Sequence, residues 1–284
     1  MLVTGKEILL DAQKNGYAVG AFNVNNMEII QAIIEAAEET RSPVILQASQ
    51  GGINYAGIEY IAALAKVAAA KANVPVAIHL DHGTDFKQII SCIRNGFSSV
   101  MIDGSKYQFE ENIEKTRNVV EIAHAVGVSV EAELGKIGGT EDDVSVAEKD
   151  ATFTDPKEAK EFVERTGIDS LAIAVGTAHG VYKGVPDIDF DRITEIRNVV
   201  DIPLVLHGSS GVDYDDLREA ISRGICKINI DTDLRAAFTR AIHEYVAANP
   251  EVIDPRKILG PAKEAMKETI KEKMKVFGSV GKAK

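Results

Sequence analysis

The sequence contains few cysteines, and their scarcity excludes two classes of small protein. Only Cys92 and Cys226 are present, and no CxxC motif occurs. Neither a disulfide framework nor a structural zinc knuckle can be built from so few thiols. We therefore expect both cysteines to be small residues of the hydrophobic core.

Basic residues are outnumbered by acidic ones, which restricts the partners of the protein. The chain has 32 Lys and Arg against 43 Asp and Glu, for a net charge of -11 and a pI near 5.1. This balance argues against nucleic acid or an anionic membrane as the main partner, because both favour a basic surface. An anionic substrate must then meet locally placed cations and backbone amides.

Long apolar runs are also absent. No run approaches the roughly 18 residues of a membrane span, and the first residues, MLVTGKEILLDAQ, predict an amphipathic helix rather than a signal peptide. We expect a cytoplasmic protein. The first predicted strand is not followed by GxGxxG, as it would be in a dinucleotide-binding fold.

What the sequence does contain is a regular alternation of apolar runs and helical periodicity. Its 284 residues, 45% of them hydrophobic, are enough for a large core. Candidate strands are residues 18–23, 43–49, 74–81, 99–103, 128–134, 170–175, 203–207 and 227–231. Segments with helical periodicity include residues 28–40, 58–72, 86–95, 110–125, 156–165 and 214–223. Eight such units predict an α/β fold, a (β/α)8 TIM barrel, with residues 1–284 as one domain.

Two regions exceed a minimal barrel. Residues 136–154 are long, acidic and glycine-containing, which is typical either of a mobile active-site loop or of a solvated surface loop. Beyond the eighth strand, residues 233–249 and 254–277 predict helices that cover the barrel and contribute to a subunit interface.

Three histidines lie at the predicted carboxyl ends of strands. His82 follows VPVAIHLD, His179 lies in VGTAHGVYKG and His207 ends LVLH. In a barrel these ends share one rim, where active sites lie. Three imidazoles with an open fourth position form a catalytic zinc site. The alternative is three unrelated loop histidines, but their common placement favours the metal.

Carboxylates occupy similar positions. Asp103 ends the fourth strand and Glu133 lies near the end of the fifth. Because a buried carboxylate is costly unless it is paired or liganded, both could support the metal, hold an alternative metal position or pair with a basic residue. Asp81 directly precedes His82, which suits a general acid or base.

Three loops have the composition of phosphate sites. GVYKG (180–184), GSSG (208–211) and NIDT (229–232) offer backbone amides, small hydroxyls and one lysine. Barrels often bind phosphate after strands seven and eight, where two of these loops lie. Each loop alone is a weak signal, since glycine also ends strands for conformational reasons. Together they predict a phosphorylated ligand.

These residues resemble the class II, metal-dependent fructose-1,6-bisphosphate aldolases and their relatives, the tagatose-1,6-bisphosphate aldolases. The resemblance runs nearly end to end, through GYAVGAFNVNN, SPVILQAS, VPVAIHLDHG, SVMIDGS, VEAELGKIGGTEDD, GTAHGVYKG, LVLHGSSG, KINIDTDLR and DPRKILGPA. It implies a glycolytic lyase that splits fructose 1,6-bisphosphate reversibly into dihydroxyacetone phosphate and glyceraldehyde 3-phosphate, and a homodimer or homotetramer.

The resemblance also implies roles for individual residues. His82, His179 and His207 would be the ligands of a catalytic Zn²⁺, Asp103 and Glu133 a second divalent metal position, and Asp81 and Glu141 the catalytic acid/base pair. Substrate-binding residues would be Ser49, Gly180, Lys183, Gly208, Ser209, Ser210, Asn229, Ile230, Asp231, Thr232, Arg235 and, from a neighbouring subunit, Arg256. The family pattern leaves room for a monovalent cation.

Three alternatives remain open from the sequence. A tagatose-bisphosphate aldolase acts on a sugar that differs from fructose bisphosphate in the configuration of one hydroxyl. The resemblance favours the fructose sugar because Asp231 is present, but Asp231 could instead only cap a helix. A zinc hydrolase barrel usually opens with HxH on an early strand, and the first strand here has no histidine. A non-catalytic phosphosugar-binding barrel would keep the glycine loops without requiring Asp81 and Glu141.

Overall fold

Eight parallel strands form a closed barrel. The computed structural model describes residues 1–141, 144–147, 151–182, 184 and 186–283. The strands in chain order are β1 (Val19–Asn23), β2 (Val44–Ser49), β3 (Val76–Gly83), β4 (Ser99–Ile102), β5 (Ser129–Leu134), β6 (Gly138–Glu141), β7 (Val144–Val146), β8 (Ser170–Ile173), β9 (Ala178–His179), β10 (Leu204–Leu206) and β11 (Ile225–Ile230). The barrel order is β1-β11-β10-β8-β5-β4-β3-β2, with β2 paired to β1. Each predicted strand overlaps one barrel strand, so the predicted (β/α)8 barrel is confirmed.

Helices surround the barrel. In chain order they are α1 (Gly5–Asn15), α2 (Met27–Thr40), α3 (Gln50–Ala56), α4 (Ile58–Lys71), α5 (Phe86–Arg94), α6 (Phe109–Ala125), α7 (Pro156–Thr166), α8 (Phe190–Val199), α9 (Tyr214–Ser222), α10 (Thr232–Ala248) and α11 (Pro255–Val276). The two predicted C-terminal helices are α10 and α11, which pack on each other, and α11 also packs on α2. Their contribution to a subunit interface stays a prediction. Within the described part of the chain, no helix is long and apolar enough to cross a membrane.

The predicted N-terminal helix lies against the starts of the barrel strands. α1 opens with a capping box in which Thr4 and Glu7 bond each other's backbone amides. Its buried face forms a separate apolar cluster with residues near the beginnings of β1, β2, β3 and β11, Cys226 among them. Cys226 and Cys92 are both buried, as predicted.

The segment after β5 is partly ordered into a hairpin. β6 and β7 pair antiparallel, and β6 also pairs in parallel with β9, where Gly139 lies opposite His179. The long predicted loop, residues 136–154, therefore supports the loop that carries a candidate metal ligand. Residues 142, 143 and 148–150 of that loop lie outside the described residues.

A bulge at the end of β3 changes the predicted strand boundary. The register with β4 shifts between Leu80 and Gly83, and His82 has a left-handed φ of 46°. Adjacent side chains in a regular strand point to opposite faces, whereas here both Asp81 and His82 are buried. Gly83 is required because a Cβ there would lie 2.4 Å from the Met101 carbonyl oxygen.

The packing of α1 predicts that replacing leucine by alanine lowers the free energy of unfolding much more at position 9 than at position 10. Leu9 is 2% exposed and Leu10 is 44% exposed. We expect Leu9→Ala to lower the free energy of unfolding by about 2 to 5 kcal/mol, because it removes buried methyl groups and leaves a cavity. Leu10→Ala should change it by no more than about 0.5 kcal/mol. Urea unfolding of both variants measures the difference, and equal losses would contradict the buried position of Leu9.

Candidate active site

Three imidazoles meet at one end of the barrel. His82 lies in β3, His179 in β9 and His207 directly after β10. Their ring centroids are 4.8 Å apart for His82 and His179, 4.7 Å for His82 and His207, and 5.9 Å for His179 and His207. One ring nitrogen from each lies within 4.8 Å of the others, so the three could hold a metal ion.

Hydrogen bonds on the far side of two rings orient them toward each other. The Nδ1 atom of His82 lies 3.0 Å from a carboxylate oxygen of Asp103, and the Nε2 atom of His207 lies 3.0 Å from one of Glu131. Because a carboxylate accepts, each ring carries its N–H on that side. His82 Nε2 and His207 Nδ1 then face each other at 2.9 Å.

This arrangement fits a cation. A neutral imidazole has only one N–H, so the two facing nitrogens both present lone pairs, and a positive ion between such atoms offsets their repulsion. Burial lowers the pKa of His207 and lowers that of His179 well below its usual value, which favours the neutral, ligating form of both rings.

A second group of possible ligands adjoins the first. His82, Asp103 and Glu133 also place ligand atoms within 4.8 Å of one another. Burial would raise the pKa of Asp103, but hydrogen bonds from His82 and Ser105 hold it below its ordinary value. Burial and the negative charge of Asp103 instead raise the pKa of Glu133 well above its ordinary value. The buried Oε2 atom of Glu133 has no hydrogen-bond partner among the described residues, as expected of a carboxylate suited to a metal.

Asp81 is fully buried and held by side-chain amides. Its oxygens accept hydrogen bonds from Asn229 at 3.1 Å, Gln47 at 3.2 Å and Asn23 at 3.3 Å. Burial would raise the pKa of Asp81, but the positive charges of His82 and His207 in their protonated forms, and of Lys227, outweigh it, so the pKa lies below its ordinary value. The carboxylate is therefore ionised and fixed in orientation.

An open pocket with about 70 Å³ of space lies beside the histidines. Its lining residues are Asn23, Thr140, His179, Gly180, Gly208, Ser209, Ser210, Asn229, Asp231, Thr232 and Arg235. It thus brings together residues of all three glycine- and hydroxyl-containing loops. Apart from Asn23, Thr140 and His179, all of them are predicted substrate-binding residues.

Nearly the whole chain matches a known enzyme family. The model of the family "Fructose-bisphosphate aldolase class-II" matches residues 3–282. The chain belongs to this family. It is a class-II fructose-bisphosphate aldolase, an enzyme of the lyase class.

Individual relatives agree in sequence and in fold. The fructose-bisphosphate aldolase of Thermus caldophilus is 52% identical, and the match covers 100% of both chains. The YdjI aldolase from Escherichia coli K12 is 40% identical over 100% of both chains, with a TM-score of 0.89. The fructose-bisphosphate aldolase of Campylobacter jejuni is 27% identical over 99% of this chain and 97% of its own, with a TM-score of 0.83.

Some predicted site residues of this aldolase are not among the residues that line the pocket. Ser49 caps α3 and lies opposite Asp81 in the pairing of β2 with β3, Ile230 is fully buried, and the Arg256 side chain is 90% exposed beside Asp254. Lys183 lies outside the described residues. For Glu141 only the backbone, as the last residue of β6, is described.

Sequence reasoning missed several polar residues of the aldolase interior. They are Asn23 and Gln47, which hold Asp81, together with Glu131 and Lys227. It also missed Thr140, an exposed residue that lines the pocket. The cost of burying a charge, which singled out Glu133, applies equally to Glu131 in SVEAEL and to Lys227 in ICKINI. Asn23 and Gln47 each lie at or near a strand end, which was the available signal for them.

The histidine cluster predicts that metal binding depends on His207 and not on a histidine elsewhere. Replacing one of three imidazoles should weaken Zn²⁺ binding by at least about 100-fold, because the site loses a direct ligand. We expect this of His207→Ala and no change for His243→Ala, whose side chain is exposed on α10. Competition with a chromogenic chelator in metal-stripped protein measures both affinities. Equal affinities in the two variants would exclude His207 as a ligand.

Proposed function

We propose that this protein catalyses the reversible aldol cleavage of fructose 1,6-bisphosphate to dihydroxyacetone phosphate and glyceraldehyde 3-phosphate. One observation carries the proposal: an imidazole cluster, an oriented carboxylate and a phosphate-sized pocket share one rim of the barrel. Aldol cleavage needs a group that stabilises negative charge, a base for a hydroxyl proton and an anchor for phosphate. The rim supplies all three.

The histidine cluster supports a zinc ion as the group that stabilises charge. His82, His179 and His207 would hold it, and His82 with Asp103 and Glu133 would provide a second divalent position. With zinc bound, these residues would hold a Lewis acid able to polarise the ketone of the substrate.

Asp81 suits the proton transfer at the hydroxyl. Three amide donors hold its ionised carboxylate in one orientation, ready to accept the proton of the carbon-four hydroxyl during cleavage and to return it during synthesis. The resemblance to the family assigns the other proton, at the carbon next to the ketone, to Glu141.

The pocket suits a phosphate group although the protein is acidic overall. Gly208 has a left-handed φ of 62°, and a Cβ there would lie 2.5 Å from the Ala178 carbonyl oxygen, so only glycine allows this close approach of two loops. The Ser210 hydroxyl accepts from the amides of Asp231 and Asp233, which leaves its own proton to donate. Arg235 and the amino-terminal end of α10 add positive charge.

The division of the proton transfers predicts two different defects. Asp81→Asn keeps the size of the side chain but loses the base, so cleavage should fall by about 100- to 10,000-fold while dihydroxyacetone phosphate still exchanges its proton with solvent. Glu141→Gln should lose that exchange. The reference is the wild type, whose cleavage activity a chelator should abolish and added Zn²⁺ should restore. Loss of exchange in both variants alike would reject the assignment, and chelator-resistant cleavage would reject the proposed metal.

The position of Asp231 predicts the choice of sugar. Asp231 makes no side-chain capping bond to α10, and its carboxylate pairs with Arg235 at 2.8 Å while lining the pocket. Its carboxylate thus lies at the pocket instead of capping the helix, and losing a match between this carboxylate and the substrate hydroxyl of the epimer should cost about 1 to 3 kcal/mol. We expect wild type to prefer fructose over tagatose bisphosphate, and Asp231→Ala to lose most of that preference. Measuring kcat/KM for both sugars in both proteins decides it, and an unchanged ratio would contradict the role.

A further inference from the structure

A buried ion pair lies inside the barrel directly beside the histidine cluster. Lys227 of β11 and Glu131 of β5 are at most 1% exposed. The Lys227 ammonium lies 2.9 Å and 2.8 Å from the two carboxylate oxygens of Glu131. It also lies 3.4 Å from Nε2 of His79, whose Nδ1 lies 2.8 Å from the Ser99 hydroxyl.

Stability alone gives no reason for this pair. Removing two charges from water is costly, and replacing a buried ion pair by apolar residues of similar size is often neutral or stabilising. The start of β11, one residue before Lys227, is part of the apolar cluster that packs against α1. A charged layer between that apolar cluster and the histidines therefore calls for a functional explanation.

The geometry connects the pair to one imidazole. Glu131 Oε1 lies 3.0 Å from Nε2 of His207, so this ring carries its N–H on that nitrogen. The lone pair of His207 is left on Nδ1, which lies 2.9 Å from Nε2 of His82, inside the cluster. Because Lys227 bonds both oxygens of Glu131, the carboxylate cannot rotate away from His207.

We propose that Glu131 and Lys227 are positioning residues for the metal centre. Lys227 anchors both oxygens of Glu131, and Glu131 fixes the tautomer and ring orientation of His207, so that Nδ1 is presented to the metal. Carboxylates that hold a ligating histidine in this way typically contribute 10- to 100-fold to metal affinity. The proposal rests on the metal-dependent function proposed above and extends it to two residues that do not touch the ion.

Two double variants separate positioning from a merely structural role. Lys227→Met/Glu131→Gln and Lys227→Met/Glu131→Leu both remove the ion pair, but only glutamine keeps an oxygen that can accept from His207. The measurements are Zn²⁺ affinity of the metal-stripped full-length protein, by competition with a chromogenic chelator, and the visible spectrum of the Co²⁺ form. We expect the leucine variant to lose about 10- to 100-fold in Zn²⁺ affinity, with an altered Co²⁺ spectrum. The glutamine variant should lose clearly less.

The chain offers a matched control at another buried lysine. Lys273 of α11 is 3% exposed and pairs with Asp233 at 2.6 Å, a carboxylate outside both groups of possible metal ligands. Lys273→Met should leave Zn²⁺ affinity unchanged even if it lowers the unfolding temperature. Wild-type affinity in both double variants would overturn the proposal.

Folding failure does not remove the test. If a double variant does not fold, the single variant Glu131→Gln retains the shape of the side chain and exchanges a charged acceptor for a weaker neutral one. It should bind Zn²⁺ several-fold more weakly than wild type, and unchanged affinity would again overturn the proposal. Failure of the underlying metal function is distinguishable, because His207→Ala would then bind Zn²⁺ as tightly as wild type.

Discussion

The closure of the parallel sheet is the constraint on which the rest of the structure depends. Every barrel strand has a hydrogen-bonded neighbour on both sides, and β1 bonds both β2 and β11. Parallel strands in a closed ring place all their carboxyl ends on one rim. His82 and His207, separated by 125 positions in sequence, are therefore neighbours at 2.9 Å. The pocket forms on the same rim because the loops that line it follow β8, β10 and β11 of the ring.

Buried charge sets the chemistry of that rim. A carboxylate removed from water needs donors or a cation, and most of those in the barrel have them: Asp81 has three amides, Asp103 has Ser105 and His82, and Glu131 has Lys227. Glu133 differs, because its Oε2 atom has no hydrogen-bond partner in the described structure. This oxygen lies beside the imidazoles, where a cation would complete the pattern that the other carboxylates show.

The strands and the placement of the histidines could be predicted because their signals are local. A short apolar run bounded by polar residues indicates a buried strand, and alternation with helical periodicity indicates a parallel barrel. The end of β3 could not be predicted, because the bulge at Asp81 and His82 depends on the register with β4. The same holds for the hairpin of β6 and β7, whose pairing with β9 joins two distant loops.

The sequence by itself determined the barrel, the three imidazoles at strand ends and the loops rich in glycine and hydroxyl groups, since each follows from residue types at short range. Only the tertiary structure decided which groups surround each functional atom. Asn23, Gln47 and Asn229 lie in three different strands, yet all donate to Asp81. Lys227 forms an ion pair across the barrel with Glu131, which is 96 positions away in sequence. Such partners are determined by strand order and register, which depend on the packing of the whole chain and not on any one segment.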